Sequence, residues 1–249
     1  MRIAFLAADD PLYLPAFFDH VLAVRASETV AVYVTPPLYR RQTRLAAAWR
    51  YCRTFGLSAT LQLAARILRA QRRRQSIAEV CRKRGVEYGV ALDVNAPDFL
   101  AKLRVQAPDV IVSVSCPQIF RRPLIELPVL GLLNIHGAIL PHYRGVMPGF
   151  WMLANGERRA GVSIYMVNED LDAGDLCGQE AFDIRPEETL DEFLTRSKRI
   201  AAELLIQVLD RLERRKLDPV PIDVTKGSYY SWPDRAAVAR FRASGRHVW

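Results

Sequence analysis

Three polar side chains in the middle of the chain have the types that acyl-transfer chemistry requires. Asn134 and His136 lie at the end of an apolar segment, residues 131–135, whose composition predicts a β-strand. Side chains alternate across a strand, so Asn134 and His136 share one face while Ile135 points into the core. Further along, an acidic turn contains Asp172. An amide, an imidazole and a carboxylate can together stabilise an oxyanion and move a proton.

The residues around this trio follow two linked motifs. The chain reads N-x-H-G-x-x-L-P-x-Y-R-G-x-x-P at residues 134–148, then G-V-S at 161–163 and L-D-A-G-D at 171–175. This combination closely resembles the 10-formyltetrahydrofolate-dependent formyltransferases, which include enzymes that act on methionyl-tRNA, glycinamide ribonucleotide and amino sugars. The resemblance implies transfer of a formyl group from the folate co-substrate to a primary amine, with no metal.

The resemblance also implies which residues form the site. Asn134, His136 and Asp172 correspond to the catalytic trio of the family. Two loops correspond to the walls of the folate pocket, the first of which grips the pterin through its backbone. The residues of these loops are Cys116, Pro117, Gln118, Ile119 and Phe120 in the first, and Glu169, Asp170 and Leu171 in the second.

Departures from the family pattern bear on the acceptor. Asp9 and Asp10 follow the first predicted strand, where glycinamide ribonucleotide formyltransferases have a glycine-rich loop that receives the substrate phosphate. Two carboxylates there would repel a phosphate. Residues 218–249 are too few for the C-terminal domain with which methionyl-tRNA formyltransferases help to hold tRNA. We therefore expect an amino-sugar acceptor, linked to a nucleotide or to a lipid.

Three other functions stay open at this point. A methionyl-tRNA formyltransferase could use a basic segment in place of the usual domain, which would make RNA a partner. Water in place of the amine would make the protein a 10-formyltetrahydrofolate hydrolase. A protein of another class would keep the fold and bind folate without catalysis, although the complete trio argues against it.

The elements that must position the trio alternate between strand and helix in the first half of the chain. This alternation predicts right-handed crossovers and a parallel sheet, in which ligands bind beyond the carboxyl ends of strands. The predicted fold class is α/β, a formyltransferase-type, Rossmann-like and mostly parallel sheet flanked by helices. Residues 1–217 are predicted to form the catalytic domain, with a basic helical insertion at 40–84, and 218–249 a short appendage that packs on it.

The basic insertion carries most of the charge of the protein. The 249 residues have a net charge of +8. From Arg40 to Arg84 the chain has twelve arginines and one lysine against one acid, Glu79, a net +12. Such a block suits an anionic surface, a phosphate or, less well, RNA. We expect its apolar residues to pack on the sheet. These residues are Leu45, Ala48, Trp49, Leu61, Leu63, Ile67 and Leu68.

Composition excludes several classes of protein. Half of the residues are hydrophobic and a quarter are charged, as in ordinary globular proteins. No apolar run approaches the roughly 20 residues of a membrane-spanning helix. The four cysteines are far apart and suggest neither a disulfide framework nor a zinc site. We expect a soluble cytoplasmic protein, with attachment to the inner face of the membrane left open by the basic block. The sequence does not indicate the oligomeric state.

Overall fold

Hydrophobic segments of the chain form a seven-stranded sheet and a small two-stranded one. The computed structural model describes residues 1–36, 43–169 and 172–249. Nine strands lie within these ranges: β1 (Ile3–Ala8), β2 (Thr29–Thr35), β3 (Tyr88–Val90), β4 (Val110–Val114), β5 (Leu132–His136), β6 (Arg144–Gly145), β7 (Arg159–Met166), β8 (Leu176–Asp183) and β9 (Tyr229–Tyr230).

The large sheet has the strand order β3-β2-β1-β4-β5-β7-β8. Its first five strands are parallel, whereas β7 pairs antiparallel with both β5 and β8. Strands β6 and β9 form the small parallel sheet. The predicted fold class is therefore confirmed. The carboxyl ends of the parallel strands lie along the same edge of the sheet. His136 lies at this edge, because it is the last residue of β5.

Helices connect and cover the strands. The described residues contain nine: α1 (Leu14–Arg25), α2 (Arg44–Phe55), α3 (Leu57–Arg72), α4 (Ile77–Arg84), α5 (Pro97–Gln106), α6 (Arg122–Ile125), α7 (Pro148–Ala154), α8 (Leu190–Glu213) and α9 (Arg235–Ala243). None of these helices is long and apolar enough to cross a membrane.

Packing on the two faces of the sheet decides where polar side chains can point. On one face, Leu133 and Ile135 of β5 join the core that α1 and α8 cover. On the other face, strand residues pack with Leu100 and Leu103 of α5. Since side chains alternate along a strand, Asn134 and His136 point away from the α1 and α8 layer.

Helix α8 ends at Glu213, although hydrophobic residues at helical spacing continue to Leu217. Arg215 has a positive φ of 53°, which takes the chain out of the helix. Leu217 nevertheless packs against the core from outside the helix. Its burial explains why the hydrophobic periodicity runs past the true end.

The expectation that the apolar residues of the insertion pack on the sheet is wrong. Leu45, Trp49 and Leu61 are 82%, 65% and 60% exposed. Phe55, at the end of α2, is instead the buried anchor of the segment, and it packs with Phe150 of α7. Periodicity identified the apolar faces of the helices but not what covers them. Residues 40–42 of the predicted block lie outside the described residues.

Residues 218–249 fold back over the rest of the chain. Val220 pairs with Leu176 of the edge strand β8. Tyr230 stacks on Tyr143 with ring centroids 5.1 Å apart. The Trp232 indole donates a 3.0 Å hydrogen bond to the Thr54 hydroxyl of α2. The aromatic residues therefore join the loop after β5 to the basic insertion.

Candidate active site

The antiparallel pairing of β5 with β7 builds the floor of the site. Asn134 lies opposite Tyr165, and His136 lies opposite Ser163. Cross-strand partners share a face, so these four side chains lie together. His136 is 6% exposed and Asn134 is half-buried.

Asp172 enters this group from the turn between β7 and β8. Its Oδ1 accepts a 2.7 Å hydrogen bond from the Tyr165 hydroxyl, and its Oδ2 accepts one of 2.9 Å from the Gly145 amide. A Cβ on Gly174, two residues later, would collide with the Met166 carbonyl. The glycine of the L-D-A-G-D motif therefore lets the turn approach β7 closely enough to deliver the carboxylate.

Tyr165 joins Asn134 to Asp172. The Asn134 Nδ2 donates a 2.9 Å hydrogen bond to the Tyr165 oxygen, which donates its own hydrogen to Asp172. Burial, and then the neighbouring carboxylate, raise the pKa of Tyr165 well above its ordinary value. The hydroxyl therefore stays protonated, and it holds both the amide and the carboxylate in fixed orientations. Within the described residues, the second N–H of Asn134 makes no hydrogen bond.

His136 is oriented by the loop that follows β5. Its Nε2 lies 2.8 Å from the Tyr143 carbonyl oxygen. A carbonyl only accepts, so Nε2 carries the hydrogen. The other nitrogen, Nδ1, faces Oδ1 of Asp172 at 3.9 Å. This separation is too long for a direct hydrogen bond, so Nδ1 remains available to a ligand or a water.

Ser163 fixes the start of the same loop. Its buried hydroxyl donates a 2.6 Å hydrogen bond to the Ala138 carbonyl and accepts one of 3.0 Å from the Leu140 amide. Gln179 of β8 donates to both the Ser163 hydroxyl and the Leu140 carbonyl. The chain leaving His136 is thereby tied to the two antiparallel strands.

The C-terminal residues hold the far end of the loop. The Ser228 hydroxyl accepts a 2.9 Å hydrogen bond from the Tyr143 amide, and the Tyr230 carbonyl accepts one of 2.8 Å from the Val146 amide. Gly145 has a φ of 95°, and a Cβ there would collide with the Tyr230 carbonyl. Glycine is required because the tail crosses the loop at this point.

The first predicted folate loop, Cys116 to Phe120, follows β4, the neighbour of β5. Gln118 does not point to a ligand, because its Oε1 accepts from the Val94 amide and its Nε2 donates to the Leu92 carbonyl, each at 2.9 Å. Ile119 is exposed, while Pro117 and Phe120 are half-buried. Burial raises the pKa of the Cys116 thiol, which keeps it protonated and unsuited to act as a nucleophile.

The second predicted loop is described only in part. Glu169 is exposed, and Asp170 and Leu171 lie outside the described residues. No group of three or more His, Cys, Asp and Glu side chains that could hold a metal occurs among the residues that the structure describes.

Sequence reasoning missed the residues that organise the site. Tyr165, Ser163, Gln179 and Ser228 contact the trio or its loop, yet none was predicted to do so. Side chains alternate across β7, so Ser163 and Tyr165 lie on the same face of that strand. Only the pairing of that strand with β5 reveals that this face carries the trio.

Known proteins resemble this chain in sequence. The sequence model of the formyl transferase family matches residues 1–209. Methionyl-tRNA formyltransferase from a Synechococcus species is 38% identical over 133 residues, which are 53% of this chain and 41% of that protein. The Thermotoga maritima enzyme is 34% identical over 153 residues, 61% of this chain and 49% of that protein. The matches thus span less than half the length of these relatives.

Solved structures share the fold at lower identity. A sugar N-formyltransferase from a Shewanella species has a TM-score of 0.61 and 18% identity, and the match covers 93% of this chain and 77% of that one. Glycinamide ribonucleotide transformylase 1 from Symbiobacterium toebii also has a TM-score of 0.61, with 16% identity over 90% of this chain and 94% of that one. With the match over residues 1–209, these findings show that the chain belongs to the formyl transferase family.

Proposed function

We propose that the protein transfers a formyl group from 10-formyltetrahydrofolate to a primary amine. The observation that carries this proposal is that Asn134, His136 and Asp172 lie together. Tyr165 links Asn134 to Asp172 by hydrogen bonds, and Nδ1 of His136 faces Oδ1 of Asp172 at 3.9 Å. Family membership supports it. The arrangement suits acyl transfer because it presents two hydrogen-bond donors and one carboxylate to the same point.

The amide and the imidazole would stabilise the charge that develops during transfer. When an amine attacks the formyl carbon, the carbonyl oxygen becomes negative and needs donors aimed at it. The second N–H of Asn134 and a protonated Nδ1 of His136 are free to donate there. Losing one such donor typically costs about 3 kcal/mol of transition-state stabilisation, a hundredfold or more in rate.

The carboxylate would control the charge and the proton. The Asp172 Oδ1 lies 3.9 Å from Nδ1 of His136, close enough for the carboxylate charge to act on the ring. During formyl transfer, a bond forms between the amine nitrogen and the formyl carbon, and the bond between that carbon and the folate nitrogen breaks. The amine loses one proton and the folate nitrogen gains one. Asp172 is held by Tyr165 and Gly145 in position to help this transfer, directly or through a water.

The loops around the trio fit a folate. The loop from Cys116 to Phe120 is tied down by Gln118 and by the Asn95 amide, which donates a 2.9 Å hydrogen bond to the Ile119 carbonyl. A rigid loop beside β5 suits recognition of a flat ring through backbone groups. We propose that this loop, with Glu169, Asp170 and Leu171 opposite it, binds the co-substrate. A structure of similar fold from Helicobacter canadensis, with a TM-score of 0.61, 14% identity and coverage of 93% of this chain and 71% of that one, contains folinic acid.

We favour an amino sugar as the acceptor. The Asp10 carboxylate accepts hydrogen bonds from the Leu12 and Tyr13 amides, at 2.8 and 3.3 Å. These amides at the start of α1 are therefore not open to a substrate phosphate, as glycinamide ribonucleotide would require. Burial raises the pKa of Asp10 while the two amides lower it, so the occupied amides carry this exclusion. The Helicobacter canadensis structure, which shares the fold, also contains dTDP-3-aminofucose.

A second candidate acceptor is aminoacylated tRNA. The relatives with 34–38% identity are methionyl-tRNA formyltransferases, and the insertion is strongly basic. Strongly salt-dependent binding of initiator tRNA would support this acceptor, because contacts with phosphates release counterions. No binding at low salt would remove it.

The experiment that tests the proposal measures tetrahydrofolate release with a panel of amines, and the mass of each product. We expect release that depends on one class of amine, with a product heavier by one formyl group in place of a hydrogen. Release at the same rate without any amine would instead identify a hydrolase. Folate binding without release, for every amine and for tRNA, would identify a protein that binds folate without catalysis.

A further inference from the structure

Helices α2 and α3 expose large apolar side chains on one stripe each. In α3, Leu57, Leu61 and Leu68 follow the spacing of a single helix face, and in α2 Leu45 and Trp49 do the same. All five are exposed. Single exposed hydrophobic residues are normal on proteins, but clusters mark surfaces that meet a membrane or a partner. We call α2 and α3 together the basic hairpin.

The opposite faces of the basic hairpin are already occupied. Phe55 is buried against Phe150, and the Trp232 indole bonds to Thr54. Arg66 forms a 2.6 Å ion pair with Asp191 at the start of α8. The hairpin is therefore anchored, and its exposed stripes cannot turn inward without breaking these contacts.

Positive charge accompanies the exposed stripes. Residues 44–74 contain eight arginines and no aspartate or glutamate. Arg53 of α2 and Arg69 and Arg72 of α3 are exposed, as are Arg73 and Arg74 beyond its end. Arg53 follows Trp49 by one helical turn and Arg72 follows Leu68 by one, so these arginines border the apolar stripes. Leu and Trp side chains bordered by arginines suit the headgroup region of a bilayer.

A cleft of about 550 Å³ lies beside Trp49, between α2 and the start of α9. Arg50, Arg53 and Arg235 line it. The Arg50 Nε is buried, and it makes no hydrogen bond within the described residues. The acid that lines the cleft, Asp234, uses its Oδ1 to cap α9 through a 2.7 Å hydrogen bond from the Ala237 amide. The Arg50 guanidinium is held over the Trp232 ring, 4.2 Å from its centroid. Three guanidinium groups around one cleft suit a phosphate.

We propose that the basic hairpin docks on a membrane surface that contains anionic phospholipids. The apolar stripes enter the interfacial region, the arginines contact headgroup phosphates, and the cleft at Arg50 takes one of them. A second copy of this chain fits less well, since two such charged surfaces repel each other. An RNA backbone would use the arginines but not the exposed Leu and Trp side chains. This inference goes beyond the proposed function and does not depend on it.

Sedimentation of the full chain with vesicles tests the proposal. We expect binding to vesicles of phosphatidylglycerol and phosphatidylcholine, weaker binding at high salt, and little binding to phosphatidylcholine alone. Brominated lipid should quench the part of the tryptophan emission that Trp49→Phe removes. That readout reports insertion of Trp49 itself rather than general adsorption.

Matched variants on α5 distinguish binding through the basic hairpin from binding through any exposed apolar or charged residue. The double variant Leu57→Asp with Leu61→Asp should weaken vesicle binding tenfold or more, while Val105→Asp, at a still more exposed apolar residue of α5, should not. Arg53→Glu should weaken binding about tenfold, while Arg104→Glu on α5 should have a small effect.

Several outcomes would overturn the proposal. One is the absence of binding to anionic vesicles, and another is equal loss of binding in the α3 and α5 variants. Self-association that the Leu57 and Leu61 variants abolish, without vesicle binding, would assign the stripe to a second copy. Binding of RNA that these variants leave unchanged, without vesicle binding, would assign the arginines to nucleic acid.

Discussion

Polar side chains bond to one another inside the site around β5, whereas those of the basic hairpin face outward. In the site, Asn134, Tyr165 and Asp172 bond to one another inside the protein. In the hairpin, arginines and leucines both face outward, and the Arg50 Nε has no hydrogen-bond partner within the part of the chain that the structure describes. The site is organised before any ligand arrives, whereas the hairpin presents a surface whose interactions are incomplete. We propose that the first region performs the chemistry and that the second sets where the protein acts.

The largest effects should come from the trio and should leave the hairpin unaffected. Asp172→Asn removes the charge beside His136 while keeping the size of the side chain, and His136→Ala removes a donor. We expect each to lower turnover at least a hundredfold, with little change in thermal unfolding. Steady-state tetrahydrofolate release and vesicle sedimentation should be measured on the same samples. Full activity in either variant would contradict the site assignment, and loss of vesicle binding would contradict the separation of the two regions.

A large effect on stability is expected within the hairpin, at its buried anchor. Phe55→Ala removes a 3% exposed ring that packs with Phe150, and truncating such a ring typically costs about 3–5 kcal/mol. Leu57→Ala, two residues away but exposed, should change the free energy of unfolding by less than about 0.5 kcal/mol. Urea unfolding of both variants measures this contrast. Equal losses would mean that the stripe is covered in solution, which contradicts its role as a free docking surface.

An intermediate effect is expected at the tyrosine that links the site. Tyr165→Phe leaves the Asp172 Oδ1 and the Asn134 Nδ2 without their shared partner, and an unsatisfied buried group costs about 1–3 kcal/mol. We expect kcat to fall roughly tenfold to a hundredfold on this basis. Tyr33→Phe is the matched control, because its hydroxyl bonds to Gln106 and it lies on β2, three strands away from β5. The control should lose stability but keep kcat, and the account fails if both variants lose kcat alike.

The sequence predicts the parts of the site that depend on neighbouring residues, but not the parts that depend on contacts between distant segments of the chain. The common face of Asn134 and His136 was predictable, because the alternation of side chains depends only on neighbouring residues of one strand. Tyr165 and Gln179 were missed because their roles depend on strand pairing, and Ser228 because it contacts Tyr143 from a distant part of the chain. The fold class was predictable from alternating strands and helices. What covers the apolar faces of α2 and α3 was not, since amphipathic spacing does not identify the neighbour.

The smallest effect is expected on turnover when only the basic hairpin is changed. Leu57→Asp with Leu61→Asp alters exposed side chains only, so turnover with a water-soluble amine should stay within about twofold of the wild type, a change of less than about 0.5 kcal/mol. The same sample should bind anionic vesicles poorly. A large loss of turnover in solution would show that the hairpin takes part in the reaction itself.

The central claim is that the group of Asn134, His136, Asp172 and Tyr165 moves a formyl carbon onto an amine. Transfer of an isotopically labelled formyl carbon from 10-formyltetrahydrofolate to an amino-sugar acceptor, followed by NMR for the wild type and Asp172→Asn, tests it most directly. The account predicts a labelled N-formyl product with the wild type and none at comparable times with the variant. Equal labelling by both proteins, or label that reaches formate and never the amine, would contradict it.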